Sequence, residues 1–112
     1  MKSKASRTPP PEPGAPVRGS RSGRPIMAVL DLLGRRGALR ILWELRGAAP
    51  LTFRALQDAA QTNPSLLNTR LAELRAAGLV AHAEGGYRLT AQGGRLLAAL
   101  APLADWARRW KP

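Results

Sequence analysis

The stretch from Thr52 to Val80 leaves the chain least freedom, because its capping residues, breakers and apolar spacing together predict two short helices joined by a tight turn. Thr52 suits the N-cap of a first helix whose apolar positions Phe53, Leu56, Ala59 and Ala60 recur at helical spacing, and Gln61-Thr62 break it. Asn63 is a favoured N-cap, and Pro64 fits the first helical position, where its missing N–H leaves nothing unpaired. The second helix should therefore run from Pro64 to about Ala77 and end on Gly78 in a left-handed conformation. At about 100° per residue, Leu67, Leu71 and Leu74 share a narrow sector that must face a core, while Ser65, Thr69, Ala72 and Ala76 point the opposite way. Asn68 and Arg75 flank that outward face on one side, and Arg70, Glu73 and Leu66 flank it on the other. This is a helix-turn-helix. Its second helix presents short side chains that permit close approach, with Asn, Thr and Arg groups able to hydrogen-bond base edges in a DNA major groove.

With 112 residues, the chain can build one modest core and no more. Lysine and arginine number 18 against 7 acidic residues, and the net charge of +11 favours polyanionic partners through long-range attraction and counterion release. Charge alone does not separate nucleic acid from anionic lipid. No long apolar run and no charged-then-apolar N-terminal signal occurs, so neither membrane spanning nor secretion is indicated, and a cytoplasmic, nucleoid-associated protein is expected. Cysteine is absent, which removes disulfides, thiol chemistry and Cys-based zinc sites, and the single His82 cannot by itself build a metal site or a catalytic pair. The acidic residues beyond the N-terminal segment are scattered, mostly beside arginines, in no acid–base arrangement. No catalytic residue, metal site or cofactor is expected.

Residues 1–24 contain Pro9-Pro10-Pro11, Pro13 and Pro16, almost no large apolar side chain, and six Lys or Arg against Glu12 alone. The composition predicts a disordered basic arm, able to lie along phosphates or in a minor groove or to act only as a solvating tail. Residues 25–112 should form the ordered domain. Pro25 opens a short helix with Ile26, Val29, Leu30 and Leu33 at i, i+3, i+4 and i+7, ending at Gly34, and this stripe must pack on the core or on a partner subunit. A core helix is predicted over Ala38 to Arg46, with Leu39, Ile41, Leu42, Trp43 and Leu45 covering most of its circumference and Gly47 as its cap. Arg36, Arg40 and Glu44 form its solvent side.

Past Gly78, Leu79 to Ala83 and Tyr87 to Leu89 read as a short hairpin around Glu84-Gly85-Gly86, from which Arg88 alternates outward toward any phosphate the hairpin meets. Thr90 caps a last helix of about residues 91–110. Its stripe of Leu96, Leu100, Leu103, Ala107 and Trp110, broadened by Leu97 and Trp106, is longer than a domain of this size can cover, which predicts a two-fold partner helix. With Ile26 and Leu30 of the first helix, Leu96, Leu100, Leu103, Trp106 and Trp110 form the expected dimer interface.

From Pro25 to Trp110 the chain resembles the HxlR family of small bacterial winged helix-turn-helix regulators, within the MarR-like superfamily. The resemblance rests on Pro25-Ile26 with Leu30-Asp31-Leu32-Leu33-Gly34, on Ile41-Leu42 with Glu44-Leu45, and on Phe53 with Leu56. Arg70-Leu71, Leu74 and Gly78-Leu79-Val80 continue it, followed by Tyr87, Leu89-Thr90, Gly93 and Trp106. It implies a mainly α (α+β) winged helix-turn-helix with a short β-hairpin wing, acting as a homodimer joined through terminal helices on a palindromic operator. Members that sense oxidants or electrophiles typically place a Cys just before the Pro-Ile pair; here Arg24 stands there. A usual Lys-Trp pair is replaced by Arg36-Gly37, and the wing is short, which leaves sequence reading mainly to the recognition helix.

The combined reading is a sequence-specific transcription regulator that binds double-stranded DNA through Ser65, Asn68, Thr69, Arg70, Arg75 and Arg88. Two alternatives stay open: a winged-helix protein-interaction module, and a protein that binds nucleic acid without sequence preference. No effector ligand is legible.

Overall fold

The computed structural model describes residues 12, 13 and 23–112 of the chain. Most of the expected basic arm therefore lies outside the described residues. Five helices and one hairpin follow in the order α1 (Pro25–Leu33), α2 (Ala38–Glu44), α3 (Phe53–Ala60), α4 (Pro64–Ala76), β1 (Val80–Ala83), β2 (Gly86–Leu89) and α5 (Ala91–Arg109).

The local signals act as their chemistry requires. Thr52 Oγ1 accepts the Ala55 N–H at 3.1 Å and Asn63 Oδ1 accepts the Leu66 N–H at 2.8 Å, so each helix of the pair starts on a side-chain cap. Between them Gln61 takes a left-handed conformation at φ 53°. After Ala77, Gly78 sits at φ +79°, and the Leu79 N–H reaches back to the Leu74 carbonyl at 2.9 Å while the Gly78 N–H reaches the Arg75 carbonyl at 3.0 Å. That closing geometry turns the chain sharply out of α4 and into β1.

The core is built from Leu32, Ile41, Leu42, Leu45, Leu56, Ala60, Leu67, Leu71, Leu74, Leu79 and Val80, with contributions from α1 to α4 and the start of the hairpin. Full burial of each of these larger side chains stabilises the fold by about 1.5–3 kcal/mol. In α1 the buried residues are Ala28 and Leu32, whereas Ile26 and Leu30, expected on the core or on a partner subunit, are more than half exposed in the single chain, so the core takes the neighbouring stripe of a helix that is apolar nearly all round. Two expectations of the periodicity are corrected in α2. In α2 the helix stops at Glu44 and its cap is Leu45 rather than Gly47, because leaving the helix there lets Leu45 turn inward to 1% exposure. Leu39 and Trp43, expected in the core, are exposed on the same helix, and the Arg46 guanidinium lies 4.3 Å from the centre of the Trp43 ring.

β1 and β2 pair antiparallel with Val80 opposite Leu89 and Ala83 opposite Gly86, so Gly86 belongs to the strand and the turn is only Glu84-Gly85. Leu51 adds an antiparallel bridge to Tyr87, its N–H and C=O both bonded to that residue at 2.9 and 2.7 Å. This closes the connector onto the wing. A Cβ at position 86 would overlap the Leu51 carbonyl, which makes the glycine a condition of that bridge.

Thr90 begins α5 with two bonds: its hydroxyl accepts the Gly93 N–H and donates to the Gly78 carbonyl at 2.6 Å. The close approach continues at Gly93, the one buried residue of the helix, where a methyl group would collide with the Leu79 carbonyl oxygen. Beyond this anchor Leu96, Leu97 and Leu100 are half-buried, and Leu103, Trp106 and Trp110 are exposed, with the two indole rings stacked 5.4 Å apart. Pro102 lies within the helix.

Candidate nucleic-acid interface

The interface is defined by what α4 leaves uncovered. Ser65, Asn68, Ala72, Arg75 and Ala76 are exposed, and Thr69 is partly covered. The opposite half of the helix is more deeply covered than its leucines predict: Leu67, Leu71 and Leu74 are joined by Glu73, at 7% exposure the one buried charged residue among the described residues. The open face is therefore rotated toward the Asn68 and Arg75 flank.

Arg70, expected beside the bases, falls on the covered flank. Its guanidinium donates to the Arg36 carbonyl at 2.7 Å and pairs with Glu73 at 3.3 Å, and only 16% of its side chain is exposed. It is taken up by the packing of α4 on the loop before α2. Arg35 pairs with Glu73 at 3.2 Å and with Asp31 of α1 at 3.0 Å. Helical spacing sets Glu73 beside Arg70 on one flank, but nothing in the sequence shows that Arg35, from another element, covers it.

Two further acids are occupied away from this face. Glu44 binds Arg40 at 2.8 Å, and Asp105 binds Arg108 and Arg109 near the end of α5. Arg54 on α3, Arg75 on α4 and Arg88 on β2 are exposed and have no ion pair among the described residues. One such cation thus sits on each of the three elements of the helix-turn-helix and wing. Arg54 was not singled out by the sequence reading, although its place on the polar side of α3, away from Leu56 and Ala60, was a usable signal. Arg88 pairs across the hairpin with Ala81, while His82 stacks on the Tyr87 ring at 4.1 Å as an ordinary cross-strand pair.

One further feature came from packing alone. A cleft of about 760 Å³ opens between α1, the end of α4 and the start of α5, lined by Val29, Leu33, Ala76, Leu96 and Arg95 among others. The residues assigned to a dimer contact, Ile26, Leu30, Leu103, Trp106 and Trp110, are exposed in the single chain, and Leu96 and Leu100 are half-buried. No helix among the described residues is long and apolar enough to cross a membrane, and no group of three or more His, Cys, Asp or Glu among them is placed to hold a metal ion.

Two capped helices across a tight turn, followed by a hairpin and a long last helix, define a winged helix-turn-helix protein. It is a structural homologue of the HxlR-type regulators. The quinone-bound YodB of B. subtilis superposes with a TM-score of 0.69 at 26% identity, over 76% of this chain and 97% of that one. A possible HxlR family transcriptional factor from Thermoplasma volcanium superposes with a TM-score of 0.61 at 27% identity, over 71% of this chain and 78% of its own. No protein-family model and no curated protein matches the sequence. The structural homology supports a DNA-binding helix-turn-helix function.

Proposed function

We propose that the chain is a cytoplasmic, nucleoid-associated transcription regulator, not an enzyme, which binds a palindromic operator as a homodimer. The observation that carries this reading is the pattern of open and paired charge: most carboxylates of the helices are occupied by arginines elsewhere, while Arg54, Arg75 and Arg88 stay open around the short polar face of α4. Ser65, Asn68, Thr69 and Arg75 face the bases, and Arg54 and Arg88 contact phosphates on either side. Arg70 has no part in base reading. Two copies join through the exposed stripe of α5 and through Ile26 and Leu30 of α1, since these large apolar side chains lie open in the single chain.

A footprint of the purified protein on the DNA upstream of its own gene tests this directly. A protected two-fold site, bound at least about a thousandfold more tightly than random DNA, is the expected result. Equal affinity for both would exclude operator reading and favour a non-specific role. One observation supports a protein-interaction module as a second reading: Leu39 and Trp43 form an exposed apolar pair on α2. That reading requires that no DNA affinity be measurable at moderate salt.

The YodB structure holds a quinone. Because this chain has no cysteine, we propose that any response to such molecules here does not proceed through a thiol adduct.

A further inference from the structure

We propose that the buried ion cluster joining α1 to α4 positions the recognition helix, and that Glu73 thereby sets the half-site spacing that the dimer accepts; this rests on the homodimeric operator reading above. The cluster is continuous. Asp31 on α1 accepts Arg35 Nη2 at 3.0 Å, Arg35 Nη1 faces Glu73 Oε2 at 3.2 Å, Glu73 Oε1 faces Arg70 Nη1 at 3.3 Å, and Arg70 Nε donates to the Arg36 carbonyl at 2.7 Å. The four side chains are 16%, 13%, 8% and 16% exposed, two of each sign, and both oxygens of Glu73 are engaged.

An apolar contact of the same volume would hold the helices together at least as strongly, because desolvating four charges offsets most of their attraction. What the ions add is registry. Leucines tolerate a helix that slides or rotates slightly, whereas two contacts from α4 to the loop before α2, Glu73 on Arg35 and Arg70 on the Arg36 carbonyl, have one arrangement in which every donor is satisfied. Glu73 lies on the covered side of α4, away from the exposed Asn68 and Arg75, so it acts on DNA only through the placement of the helix. At the other end, Asp31 follows Leu30, an exposed residue of the proposed dimer surface. The cluster is therefore a short rigid link from subunit contact to reading helix. In a two-fold dimer the separation of the reading helices dictates the spacing of half-sites.

The test uses the full chain and a pool of palindromes whose spacer length varies while the half-site stays constant. Wild type should enrich one spacer strongly. Glu73→Gln keeps the shape of the side chain and removes its charge. It should unfold cooperatively and remain a dimer, lose about tenfold in affinity for the preferred spacer, and lose the preference over neighbouring spacers, with base preferences inside the half-site unchanged. Asp31→Asn, which cuts the link at its α1 end, should have the same effect. A merely structural role predicts something else: an equal drop for every spacer, since unfolding removes active protein without regard to the DNA. That outcome, or an unchanged preference in both variants, would overturn the inference. Should Glu73→Gln fail to fold, Asp31→Asn and the paired Arg35→Met with Glu73→Met, which fills the same volume with apolar groups, decide between the two roles. If wild type enriches no palindrome, the operator reading itself fails and the inference falls with it. A clear wild-type preference left intact by every variant sinks the inference alone.

Discussion

Arg70 and Arg75 lie five positions apart on one helix, and the same side chain has two fates. Arg75 is exposed and unpaired among the described residues, while Arg70 is held by Glu73 and the Arg36 carbonyl. Arg75→Ala and Asn68→Ala should each weaken specific binding by about 1–3 kcal/mol and leave the unfolding temperature nearly unchanged. Arg70→Ala should behave in the opposite sense at the level of stability, costing about 1–3 kcal/mol because Glu73 loses a partner while buried. Thermal unfolding and binding titrations on the three variants would check this; a stable Arg70→Ala protein that loses only base selectivity would restore Arg70 to the interface. Helical phase places both arginines near the outward face. It could not show that the loop before α2 covers one flank, because a covering segment distant in sequence leaves no trace in periodicity.

Among the elements, α5 depends most on a single point of contact. Its first turn is tied to the α4–β1 turn by Thr90, and Gly93 lets the backbone of the helix lie against the Leu79 carbonyl. Gly93→Ala should therefore cost about 1–3 kcal/mol by forcing α5 away from the turn. Gly94→Ala, where an added methyl meets open space in the same helix, should instead stabilise the fold by about 0.5–1 kcal/mol. Chemical denaturation of the two variants makes the contrast measurable, and equal effects of the same sign would contradict the packing described. The sequence shows two adjacent glycines after a cap and does not distinguish them. The wing carries a similar lesson, since the Leu51 bridge to Tyr87 joins residues far apart in the chain and requires Gly86 inside a strand rather than in the turn.

For the molecule as a whole, the exposed Leu103, Trp106 and Trp110 and the uncompensated basic charge give two separate expectations. Leu103→Asp should yield a monomer in sedimentation that keeps its helix-turn-helix fold and binds a palindrome poorly, because the two half-sites are no longer engaged together. If it sediments with the mass of wild type, α5 is not the interface, and Ile26 and Leu30 of α1 are left to carry the proposed contact without it. Removing Arg54 and Arg88 together should lower affinity for all sequences and reduce the salt slope by about 2, one for each phosphate left without its arginine. A slope that does not change would keep these side chains off the DNA. Peroxide or quinone treatment should leave operator affinity unaltered, since Met27 is the only sulfur besides Met1; a loss of binding reversed by a thiol reductant would contradict the absence of a thiol switch.

Helix existence, order and most of the ends were determined by residues acting within a turn or two of one another. Thr52, Asn63 and Thr90 cap their own helices, and Gly78 relaxes the exit from α4, so these boundaries are legible wherever the residues occur. The hairpin and the long apolar α5 follow from equally local patterns. The core face of α4 was legible in its leucines, but which face of α1 and of α2 meets the core was decided only by tertiary structure. α1 and α2 are apolar around most of their circumference, so several orientations satisfy the pattern, and the one adopted leaves Ile26, Leu30, Leu39 and Trp43 outside. The Asp31–Arg35–Glu73–Arg70 cluster likewise exists only once α1, the following loop and α4 are brought together, because charges find partners by distance in space and not by spacing along the chain.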